Sequence, residues 1–124
     1  MTKKVAITGM GIISSIGNSV EENFSALLNG KTGISEIENI VTNHKNVIKV
    51  GEIKMTNEEL IKHLGLPIDN NFSRTTMLGA IAASQAVKNA GINTINEFKT
   101  GLISSTSVGG MDMTEKYYYD YFSS

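Results

Sequence analysis

The chain has 124 residues, 11 basic and 12 acidic side chains, a net charge of -1 at pH 7 and no cysteine. That length suits one domain with a real core. The charge argues against nucleic-acid binding by phosphate neutralisation, and the missing thiols exclude disulfides, thiolate nucleophiles and cysteine-held metal centres from these residues. No apolar run approaches the roughly 18 residues of a membrane span, and Val5-Ala6-Ile7 behind the basic start is too short for a signal-peptide core, so a cytoplasmic location is expected.

In chain order, residues 3–9 (Lys-Lys-Val-Ala-Ile-Thr-Gly) read as a short buried strand ending in glycine, and residues 10–17 as a glycine-punctuated loop. Asn18 or Ser19 can cap a helix with Glu21 and Glu22 in its first turn. Phe24, Leu27 and Leu28 share one face of that helix, and Asn29-Gly30 ends it. Residues 33–46 carry no clear period and read as irregular. Residues 46–55, with Val47, Ile48, Val50, Ile53 and Met55, read as a strand bent at Gly51. Thr56-Asn57-Glu58-Glu59 fits a capping box, and Leu60, Ile61 and Leu64 give a short helix stopped by Gly65 and Pro67.

The strongest helix runs over residues 73–90, capped by Ser73 and ended where Gly91 can turn left-handed. Its apolar arc is wide and rich in alanine, which predicts burial on more than one side and close packing. Residues 99–106 read as a third strand running into Ser104-Ser105-Thr106-Ser107. Val108-Gly109-Gly110 is a turn, and residues 112–121 are helical, with Asp112 or Thr114 near the start and Glu115 in the first turn. The order strand, helix, strand, helix, helix, strand, helix belongs to layered α/β architecture.

Few residues suggest chemistry on their own. Gly9-Met10-Gly11 after a strand invites a dinucleotide reading, but Ser14 stands where the phosphate fingerprint needs its third glycine, and residues 23–30 are helical where the second strand should follow. A nicotinamide-binding domain stays open as an alternative, against a structural turn. His44 and His63 fit no metal spacing and read as exposed polar residues. Glu58 and Glu59 read as helix caps, and Asp112 and Glu115 as solvated. Thr8, Ser14, Ser15 and Ser104 to Ser107 offer hydroxyls, but no base has a local claim on any of them. All four tyrosines fall at positions 117, 118, 119 and 121, with Phe122 beside them. Natural domains rarely finish so close to an aromatic cluster, so the carboxyl end is expected to be a cut.

Four segments in order resemble the amino-terminal part of the β-ketoacyl-acyl-carrier-protein synthases. These are Val5 to Gly17, with its strand, Thr-Gly-x-Gly turn and later glycine; Phe24 to Ile34, close to Leu-x-x-Gly-x-Ser-Gly-Ile; Arg74 to Gly91, an arginine followed by an alanine-rich helix; and Gly101 to Met111, a strand running into a Gly-Gly turn. Ser104 and Ser105 depart mildly, standing where glycine or alanine is frequent.

The resemblance implies part of the first half of a thiolase-like α-β-α-β-α layered fold, with residues 1–124 forming an incomplete synthase domain. It implies a decarboxylative Claisen condensation of an acyl thioester with malonyl-carrier protein in fatty-acid or polyketide synthesis, without metal or organic cofactor. The family's nucleophilic cysteine and its two histidines belong to a segment downstream, so no catalytic residue is assigned here and the chain alone is expected to be inactive. Val108 is expected to line or gate the acyl pocket, with Met111 as a weaker neighbour. The implied partners are an acyl carrier protein and a second synthase subunit, as a homodimer or a heterodimer. A non-catalytic, chain-length-setting subunit is the alternative, since its amino-terminal part looks alike.

Overall fold

A computed structural model describes residues 4–97 and 99–123. Helix α1 is Val20–Leu28 and begins at Ser19, whose extended backbone lets its Oγ accept the Glu22 N–H at 3.1 Å. Glu22 in turn accepts the Asn18 N–H at 2.7 Å. The expected apolar face is corrected here: Phe24, Leu27 and Leu28 are mostly exposed, and the helix buries Asn23 and Ala26. Hydrogen bonds set that orientation. Asn23 Nδ2 donates to the carbonyls of Gly17 and Ser19 at 2.8 Å each, and Asn23 Oδ1 accepts from the Ser14 hydroxyl. These bonds draw the Asn23 face onto the 14–17 turn.

The strands are corrected too. The observed sheet is one short antiparallel pair, β1 (Ser35–Glu36) with β2 (Lys49–Val50), with Ser35 opposite Val50 and Glu36 opposite Lys49. The expected strand over 46–55 is cut down by Asn46, which turns with φ 67°, and ends before Gly51. Segments 4–9 and 99–106 join no ladder among the described residues; Lys3 lies outside them. Val5 and Ile7 are 96% and 87% exposed, Leu102 and Ile103 83% and 99%. Their composition favours strand, but a ladder needs a neighbour's amides and carbonyls, and lone pairs of strands are marginal.

Glu52, next to this sheet, is buried. Its carboxylate accepts the Glu38 N–H at 2.9 Å, the Asn39 N–H at 3.0 Å and the Ile40 N–H at 3.1 Å, with Lys54 Nζ 3.9 Å away. Burial favours the neutral acid, yet the three amides and Lys54 outweigh it and hold the carboxyl below the usual carboxylate range. A lowered value in the folded state gives stability that is present above the unfolded value and lost as pH falls through the folded one. Glu52→Gln is therefore expected to cost about 1.5–3 kcal/mol at pH 7. In urea unfolding the gap to wild type should narrow below about pH 4. A gap that does not change with pH would contradict the assignment.

Helix α2 (Asn57–Leu64) has the expected capping box: Thr56 accepts the Glu59 N–H at 3.2 Å, and Glu59 accepts the Thr56 N–H at 2.8 Å. Gly65 ends it in the left-handed region, φ 64°. Helix α3 (Arg74–Asn89) starts at Ser73, and Gly91 follows its cap with φ 68°. The two helices pack on each other around Leu60, Met77 and Ile81, and Ile13, Met55 and Leu66 close the cluster. A one-turn 3-10 helix, Ile95–Glu97, precedes the fourth helix, α4 (Met111–Ser123), which has no buried residue.

The accessible surface is 10278 Å². A self-contained globule of 13.4 kDa would expose roughly 6,500 Å². Much apolar surface is thus uncovered, including one side of α3, whose expected burial on several sides is met only where it faces α2 and the amino-terminal segment.

Candidate functional site: a cleft between the glycine segments

A cleft of about 700 Å³ opens along the small-residue side of α3. Gly11, Ile12 and Ile13 form one wall, Gly79 and Ala83 the floor, and Leu102, Thr106, Gly109 and Gly110 the other wall. Hydroxyls of Thr75, Thr76, Ser104 and Ser105 edge it, and among the described residues no charged side chain lines it. Such a surface suits an apolar ligand with a few weakly polar groups, because a desolvated charge would find no partner there.

The first wall explains the Gly-x-Gly pattern. A Cβ on Gly9 would strike the Ala86 carbonyl oxygen, and one on Gly11 the Ala82 carbonyl oxygen. Alternating with them, Met10 N–H donates to Asn89 Oδ1 and Ile12 N–H to Gln85 Oε1, both at 3.0 Å. Gln85 also donates to the Asn18 carbonyl at 2.6 Å. Side-chain amides of α3 thus accept from alternate backbone amides of an extended segment. The glycines serve close packing of this segment on α3.

The opposite wall hangs on α3 through its amino end. Asp112 in the first turn of α4 accepts the Arg74 backbone N–H at 2.8 Å, and a Cβ on Gly109 would lie 3.1 Å from Thr75 Cγ2. The Arg74 guanidinium donates to the carbonyls of Ile53 (2.9 Å) and Met55 (2.8 Å) and to Asn57 Oδ1 (2.9 Å). One residue thereby ties α2, α3 and the 53–55 segment together.

A family model described as "Beta-ketoacyl synthase, N-terminal domain" matches residues 2–121. The chain belongs to the β-ketoacyl synthase family. It is 36% identical over 116 residues to a 3-oxoacyl-[acyl-carrier-protein] synthase 2 of Staphylococcus aureus (strain COL), and 29% identical over 115 residues to the protein of the same name in Vibrio cholerae serotype O1. Each alignment covers 91% of this chain and 27% of the relative, so the chain spans about a quarter of those proteins' length.

The four synthase-like segments converge in space. The first, third and fourth surround the cleft, and Gly33 of the second lies so close to Ser15 of the first that a Cβ would strike the Ser15 side chain. Val108 and Met111 flank the Gly109-Gly110 wall in sequence but stand outside the cleft lining, 69% and 51% exposed. His44 sits in the loop before β2 and His63 in the last turn of α2, both exposed. Glu58 is fully exposed, and its carboxyl is held below the usual range by its own backbone amide and the Thr56 hydroxyl, as befits a carboxylate at a helix start. Among the described residues no group of three histidine, aspartate or glutamate side chains comes together as a metal site. Asp112, expected to be solvated, is half-buried against Arg74. The sequence marks Asp112 as a helix start and Arg74 as the head of the alanine-rich helix but not their contact, because a bond across 38 positions leaves no local signal.

Proposed function

We propose that this chain is the amino-terminal portion of a 3-oxoacyl-carrier-protein synthase, and that further sequence is needed for catalysis. The observation that carries this reading is a family match running almost end to end, with relatives named for that activity. The exposed, strand-like segments at 4–9 and 99–106 and the excess surface support it, since a layered thiolase-type sheet would give those segments neighbours to pair with. In this reading the complete enzyme takes an acyl group from carrier protein onto a cysteine outside these residues. Malonyl-carrier protein then loses carbon dioxide, and the resulting carbanion attacks the thioester carbonyl, breaking its C–S bond and expelling the cysteine thiolate, while backbone amides hold the oxyanion. The reaction runs in the cytoplasm on a synthase dimer and needs no metal or organic cofactor.

The contribution of this portion is the acyl pocket: the cleft wall at Gly109-Gly110, with Val108 and Met111 turned to the acyl tail once the domain is whole. The deciding experiment assays the product of the complete coding sequence for condensation of acyl- and malonyl-carrier protein. Carbon dioxide release with a 3-oxoacyl product is expected, and residues 1–124 alone should give none. A complete product that binds carrier protein without condensing would favour a non-catalytic subunit.

Val108 is tested separately. Val108→Phe should lower kcat/KM for hexadecanoyl relative to hexanoyl thioester by about 10–100-fold, as expected when an apolar pocket is shortened by a few methylenes. An unchanged ratio would remove Val108 from the pocket.

A further inference from the structure

We propose that Asp112 is a positioning residue that sets acyl-chain selectivity by holding the Val108–Met111 turn against the start of α3. This rests on the reading of that turn as an acyl-pocket wall.

The turn's own packing holds it weakly: residues 101–109 are exposed and join no ladder among the described residues, and Gly109 approaches the Thr75 side chain of α3. Its polar anchorage to the body of the protein comes through α4. Asp112 accepts the Arg74 N–H across 38 positions, and one and a half helical turns later Tyr117 Oη donates to Asn71 Oδ1 at 2.6 Å across 46. Both anchors land within four residues of each other at the entry to α3.

The chemistry of the Asp112 contact suits a fixed point. Arg74 is the first residue of α3, so its N–H has no partner inside the helix. Ser73 satisfies the Thr76 N–H instead, and the first turn of α3 contains no acid of its own. A carboxylate there meets both an open amide and the positive end of a 16-residue helix. The Arg74 side chain is occupied elsewhere, on Ile53, Met55 and Asn57, so the anchored amide belongs to a residue that is itself held on three sides. Gly110, with φ 89°, sits immediately before α4, and its carbonyl accepts the Met113 and Thr114 amides at 3.0 Å. The turn and the helix therefore move as one piece, and Asp112 is two residues from the pivot.

The test uses the complete synthase and compares Asp112→Ala, Asp112→Asn and Val108→Phe on hexanoyl and hexadecanoyl thioesters. Asp112→Ala should lower the hexadecanoyl-to-hexanoyl ratio of kcat/KM about tenfold, mainly through KM, which is the scale of a small misfit in an apolar pocket. Asp112→Asn keeps an oxygen able to accept the Arg74 N–H and should restore the ratio. Equal loss on both substrates, no change in the ratio, or failure of Asn to rescue would overturn the proposal. An Asp112→Ala protein that cannot be obtained folded would also count against it, because the contact would then hold up the fold, not a wall. If Val108→Phe leaves the ratio unchanged, the acyl-pocket reading fails. If Val108→Phe shifts it and Asp112→Ala does not, only the positioning role fails.

Discussion

Gly11→Ala is expected to destabilise the protein by about 3 kcal/mol, the upper end for an overpacked contact. The added Cβ would meet the Ala82 carbonyl oxygen and would also lie 2.8 Å from the Ala86 amide nitrogen. Both atoms belong to the backbone of α3 and cannot swing aside as a side chain could. Relief requires moving the 9–12 segment outward, which breaks the Met10–Asn89 and Ile12–Gln85 hydrogen bonds together. Gly51→Ala is the matched comparison. There the Cβ would find Ser15 Oγ at 3.4 Å and Ile34 Cδ1 at 3.6 Å, ordinary contacts, so the change should be neutral or stabilising by about 0.4–1 kcal/mol. Denaturant unfolding of the complete coding product gives both values. Similar effects at the two positions would mean that the glycine segment is not seated on α3.

Leu60→Ala should cost about 2–5 kcal/mol, the range for deleting a buried leucine side chain. Leu60 is 0% exposed and meets Met77 and Ile81 across the α2–α3 contact, with Ile13 bringing the amino-terminal segment to the same place. The hole would be bordered by two helices that are capped at both ends and cannot easily collapse into it. A shift in the denaturant midpoint with unchanged slope is the expected form. A loss below about 1 kcal/mol would place the core elsewhere.

Local rules were enough for the helices. The Thr56–Glu59 box, the Ser19 and Ser73 caps and the left-handed glycines at 65 and 91 are decided within four or five residues, so they can be read from the chain. The strands could not be read in the same way. Val5, Ile7, Leu102 and Ile103 have the side chains of buried strands, yet pairing depends on a neighbour that sequence order does not name. The inward face of α1 was misleading for a related reason. Phe24, Leu27 and Leu28 have the spacing of a core face, but Asn23 binds the 14–17 turn and decides the rotation. At the candidate site, the Gly-Gly turn was legible as a motif. Its anchorage was not, because the Asp112 carboxylate and the Arg74 amide meet only after the chain has folded back on itself.

The α2–α3 core also bears on how the protein is made. Of its members, all but Ile13 lie between Met55 and Ile81. The loops that must close to form it are short, which favours rapid assembly. Synthesis proceeds from the amino end at about 5–20 residues per second, so this helical pair can consolidate before the 99–123 region has left the ribosome. The Gly9–Ile12 segment would by then already have its seat along the Ala82–Asn89 stretch of α3. In that order of events α3 serves the nascent chain as a support, holding the Gly9–Ile12 segment through two hydrogen bonds and two glycine contacts.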